Sequence, residues 1–141
     1  MKNNSILFSI IFLAAILLLL NSCKKDNEKE EETHTHPLSA NINILSPTAG
    51  LTVDLGMSVA LSATINAGFD MHGYEAYLIN VTADDTVWSV DAHDHGTAFT
   101  ITGEWINSVT AHSDMRFKVI ANLDHDGNTS SKEVEFHCHP M

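Results

Sequence analysis

From Asn41 onward, apolar residues return at every second position in one short run after another. Val59, Leu61, Ala63 and Ile65 alternate with Ala60, Ser62 and Thr64. Phe117, Val119 and Ala121 form a second such face, and Val134, Phe136 and Cys138 a third. Successive side chains of an extended strand point to opposite sides, so a period of two sends one face to a core and the other to water. No segment of useful length carries the helical period. Seven strands are predicted: Asn41 to Leu45, Val59 to Ile65, Tyr74 to Val81, Thr86 to Ala92, Ala98 to Trp105, Met115 to Leu123 and Lys132 to His139. Turn signals separate them, notably Ser46-Pro47-Thr48-Ala49-Gly50 after the first and Asp124-His125-Asp126-Gly127-Asn128 in the last hairpin. Strands of this length and spacing predict an all-β fold, a seven-stranded sandwich of two sheets. Trp88 and Trp105 read as core or interface aromatics.

The first quarter of the chain has a different character. Lys2 precedes an apolar stretch from Ile6 to Leu20 broken only by Ser9. As a helix it would reach roughly 22 Å, short of the roughly 30 Å hydrocarbon core, so it reads as a signal segment and not as a membrane span. Leu20-Asn21-Ser22-Cys23 resembles the lipobox of bacterial lipoproteins. That resemblance implies cleavage before Cys23 and acylation of its thiol and new amine, a multi-chain anchor holding the protein to a membrane. Lys24-Lys25-Asp26-Asn27-Glu28-Lys29-Glu30-Glu31-Glu32 contains no aromatic or β-branched residue and reads as a solvated tether. It resembles the acidic signal that follows the lipidated Cys in surface-exported lipoproteins of the Bacteroidota. The expected organisation is a lipoprotein signal peptide over residues 1–22, a lipidated Cys and charged tether over 23–37, and a β-sandwich domain over 38–141. The expected place is the outer membrane, facing the periplasm or the cell surface.

Roughly a hundred residues remain for the domain, enough for one core. Its resemblance is to the immunoglobulin or fibronectin-III-like modules of bacterial surface lipoproteins, carried by Ile44-Leu45-Ser46-Pro47-Thr48-Ala49-Gly50 and by Asp124-His125-Asp126-Gly127-Asn128. It is similar also to a His-rich group of such Bacteroidota domains, of uncharacterised function. Both likenesses imply an immunoglobulin-like fold and no activity. The formal charge of −11 repels nucleic acid and favours cations. Cys23 and Cys138 are the two cysteines. With the first acylated no internal disulfide forms, and Cys138 shares the buried parity of Val134 and Phe136.

Nine histidines stand against seven Lys and Arg together, and His34/His36, His93/His95 and His137/His139 are His-x-His pairs. On an extended backbone such a pair projects both imidazoles to one side, and neutral imidazole is a common ligand for zinc and copper. In fibronectin-type order, every second connection shares an end of the sandwich. His72, His93, His95 and His125 would then meet at one end as the principal metal ligands, with His34 and His36 able to swing in from the tether. His112, His137 and His139 would form a smaller set at the other end. Neighbouring carboxylates can ligate or orient the rings. Met71 beside His72, and Met141 two residues after His139, keep copper open beside zinc, since thioether with imidazole suits Cu(I). The Asp124 to Asn128 segment invites a calcium reading, but Thr129 stands where such a loop needs Gly and strands flank it, so it reads as a hairpin turn.

No nucleophile or phosphate-binding motif appears, and an enzyme is the least favoured class, although three His and a water can form a hydrolytic zinc site. The favoured reading is a lipid-anchored envelope protein that captures, buffers or hands on zinc or copper. The alternative is an adhesion or assembly module that binds an envelope protein or glycan, with metal incidental or regulatory.

Overall fold

The computed structural model describes residues 38–140. The signal segment, Cys23, the tether, His34, His36 and Met141 lie outside the described residues. Eight strands follow in chain order: β1 (Asn41–Ser46), β2 (Thr52–Val53), β3 (Ser58–Met71), β4 (Gly73–Asn80), β5 (Asp85–Ala92), β6 (Gly96–Ile106), β7 (Ser113–Asn122) and β8 (Thr129–Cys138). Seven match the expected strands in order and place. The eighth, β2, is a two-residue strand that pairs in parallel with the end of β8, Thr52 opposite His137 and Val53 opposite Cys138.

One sheet has the order β1-β3-β6 and the other β2-β8-β7-β4-β5. Apart from β2 every pairing is antiparallel. This is an immunoglobulin/fibronectin-III-like sandwich, assigned from its strand order and pairing. The period of two explains the packing: Leu61, Ile65, Leu78, Ile101, Met115 and Phe117 are wholly buried between the sheets. Burying a side chain of this size contributes about 1.5–3 kcal/mol. Trp88 is half-buried, lies over Gly103 where a Cβ would strike its indole ring, and packs on Phe117 at a ring separation of 6.2 Å. Trp105 also packs half-buried against the core.

The third strand runs further than alternation alone predicts. Asp70 and Met71 belong to β3 and not to a loop, and Met71 is fully buried. Its thioether is a core group, which removes it from the candidate copper ligands. His72 is then the single residue between β3 in one sheet and β4 in the other. Gly73 makes this corner possible. Its φ is +127°, and a Cβ there would collide with the carbonyl oxygen of Ala92. That conformation and that proximity both favour glycine.

Candidate metal centres

Strand register gathers histidines at both ends of the sandwich. At the first end, Met71 lies opposite Gly96, whose predecessor is His95. Tyr74 lies opposite Ala92, whose successor is His93. Gly73 lies opposite Asn122, and the His72 amide donates to the Asn122 carbonyl at 2.8 Å, three residues before His125. The corner residue is therefore the hub. Its ring centroid is 3.6 Å from that of His125, 4.5 Å from His95 and 6.5 Å from His93. His93 and His95 are 5.8 Å apart, and His95 and His125 6.2 Å.

His93, His95 and His125 are exposed, while His72 Nδ1 is buried and has no hydrogen-bond partner. Burial, followed by the nearby rings of His125, His95 and His93, holds the His72 imidazole below its ordinary range, with Asp124 opposing. Asp124 itself is held below the usual carboxylate range, first by its bond from Asn128. Its oxygens accept from Asn128 Nδ2 at 2.6 Å and from the amides of Asp126 and Asn128 at 2.9 and 3.1 Å. The turn's own donors thus occupy the carboxylate that a calcium loop would need.

At the opposite end His112, His137 and His139 each offer one ligand atom, all within 4.8 Å of one another. His112 immediately precedes β7; His137 lies in the last turn of pleat of β8, and His139 follows its end. Cys138, between the two, is fully buried, so the alternation read from the sequence places the imidazole pair on one side and the thiol on the other. Burial pushes that thiol up to about 11, so it stays protonated at neutral pH.

The triad's distances lie near those a tetrahedral ion requires. With metal–nitrogen bonds of about 2.0–2.1 Å, two ligand nitrogens sit about 3.3–3.4 Å apart and their ring centroids about 5 Å apart. His112 Nδ1 and His137 Nε2 are separated by 3.4 Å. The ring centroids are 5.6, 4.7 and 5.1 Å apart for the three pairs. Two carboxylates stand behind the rings. His137 Nδ1–H donates to Asp114 Oδ1 at 2.9 Å, which leaves the Nε2 lone pair facing His112. Asp54 Oδ1 is 3.6 Å from His139 Nδ1, too far for a hydrogen bond. A carboxylate behind a ligating histidine fixes its tautomer and raises its basicity. Buried Asn107 clamps the surrounding backbone: its Nδ2 donates to the carbonyls of Val53 and His139, both at 3.0 Å, and its Oδ1 accepts from the Val109 amide at 3.1 Å.

Asp114, Asp54 and Asn107 were not foreseen among the functional residues. Asp114 carried a usable signal, since it stands two residues after His112 at the start of an alternating strand. Asp54 and Asn107 are brought in by β2 and by a loop, where no periodicity points to them.

No family model matches this chain, and no curated protein does. Among solved structures it is similar to the fibronectin(III)-like modules of Clostridium thermocellum CbhA, at 19% identity over 72% of this chain and 98% of that one, with a TM-score of 0.47. It is also similar to a CARDB domain from Pyrococcus furiosus in complex with di-metal ions, at 11% identity over 72% of this chain and 93% of that one, with a TM-score of 0.38.

Proposed function

We propose that this chain is a lipid-anchored cell-envelope protein that binds a transition-metal ion, zinc or copper, through histidines displayed at the end of its sandwich. The observation that carries the reading is the triad of His112, His137 and His139, whose ligand atoms lie within 4.8 Å, with Asp114 bonded to the far nitrogen of His137. Three protein ligands leave a fourth position for water or an incoming donor. His112 is exposed, so that position opens to solvent, which suits capture and transfer of the ion more than catalysis on an enclosed substrate. Acylation of Cys23 would hold this surface near a membrane, where an acidic protein concentrates cations.

Equilibrium dialysis of the purified chain against zinc at pH 7.5, followed by elemental analysis, tests the metal reading. The expected result is retained metal that falls by one equivalent in a His112→Ala/His137→Ala variant. Equal retention in the wild type and the variant would overturn it. Mass spectrometry of the Cys23 peptide from cells tests the anchor, expecting the added mass of acyl chains.

A further inference from the structure

His72 holds a nitrogen that the rest of the fold does not explain. Its Nδ1 is buried without a hydrogen-bond partner, although buried polar atoms are nearly always satisfied by protein, water or an ion. Around it stand three further imidazoles contributed by two other connections, the β5–β6 loop with His93 and His95 and the β7–β8 hairpin with His125. Neutral imidazoles gain little from one another at this distance. Each offers a lone pair, and a cation is the partner that satisfies several at once. An ion seated among them would part the His72–His125 pair from 3.6 Å to about 5 Å, a movement open to His125, which is exposed on its hairpin.

We infer that His72, His93, His95 and His125 form a second transition-metal site, independent of the triad and different in kind. Four imidazoles fill a tetrahedral shell without water or carboxylate, and one of the four is fixed at the corner where the chain changes sheets. The triad keeps an open position and two carboxylates behind its rings. β7, from Ser113 to Asn122, spans the distance between the ends, roughly 30 Å at about 3.3 Å per residue, so one ion cannot serve both sets. The quartet retains its ion while the triad exchanges it.

The test uses the full chain with His34→Ala and His36→Ala, so that the tether contributes no imidazole, and zinc(II) as probe. Equilibrium dialysis should give two equivalents per chain. His93→Ala/His95→Ala should reduce this to one, and His112→Ala/His137→Ala should also leave one. His93, His95 and His125 are exposed, so these changes spare the core, and His125→Asn provides a second variant with the same expected loss. In a chelator challenge the parent should release zinc in two phases, the slower one vanishing in His93→Ala/His95→Ala. One equivalent in the parent that survives His93→Ala/His95→Ala overturns the quartet and leaves the triad standing. No metal left after His112→Ala/His137→Ala overturns it as well, and no metal in the parent overturns both sites.

Discussion

Removing the carboxylate behind His137 isolates the contribution of a residue that would not itself ligate a bound ion. Asp114 Oδ1 accepts the Nδ1 proton of His137 at 2.9 Å, and its side chain is 77% exposed. Its backbone is held separately, the amide by Thr82 Oγ1 at 2.9 Å and the carbonyl by the Val81 amide at 2.8 Å. Asp114→Ala therefore leaves the strand intact and frees the ring to adopt the other tautomer or to rotate away from His112. Partners of this kind are worth about 10- to 100-fold in metal affinity, or about 1.4–2.7 kcal/mol. Asp114→Asn retains an acceptor oxygen and loses only the charge, so it should fall between wild type and Asp114→Ala. Asp54→Ala removes a carboxylate that at 3.6 Å makes no hydrogen bond, and should cost less than Asp114→Ala. Competition against a chromophoric chelator at pH 7.5, in the background of His93→Ala/His95→Ala, gives the three affinities. An Asp114→Ala affinity within two-fold of its parent would refute the orienting role.

In a Cys23→Ser background, Cys138 should resist a thiol reagent at pH 8 in the folded chain and react fully in guanidinium, because burial pushes its thiol up to about 11; rapid labelling of the folded chain would contradict this. Asn107→Ala should lower unfolding free energy by about 2–4 kcal/mol in urea, since it strips partners from the Val53 and His139 carbonyls and leaves a small void. An unchanged midpoint would show that the clamp carries no weight. After chelator treatment, the His72 ring should titrate by NMR with a midpoint below the ordinary 6.5. Below about pH 6.5 the unfolded chain takes up a proton that folded His72 refuses, so this residue withdraws stability as the pH falls from 6.5 towards its folded value and contributes nothing above. A midpoint at or above 6.5 would be inconsistent with the buried setting.

Strand positions were legible because alternation is a local property of the chain. The faces built on Leu61, Phe117 and Phe136 are the faces that are buried. β2 was not legible, since Thr52 and Val53 form a strand only by lying against β8. The extension of β3 was hidden by Asn66-Ala67-Gly68, which interrupts the apolar alternation where the pairing with β6 loses regular register before resuming at Met71. The placement of His72, His93, His95 and His125 at one end and of His112, His137 and His139 at the other followed from the alternation of loops between the two ends. The internal geometry of the triad did not, because the orientation of His137 depends on a carboxylate supplied by another strand. Asp114 reaches His137 through the β7–β8 register, and Asp54 reaches His139 through the chain just beyond β2.

The pairing around residue 137 bears on how the chain tolerates change. β8 is gripped on both flanks there, by Asp114 and Ser113 on one side and by Thr52 and Val53 on the other. A single-residue insertion or deletion upstream in β8 would swap its two faces at this point, turning a sulfur outward and folding two imidazoles into the interior. The double grip makes such a slip costly, and it keeps a soft, oxidisable atom out of the solvent at the one place where it would compete with nitrogen.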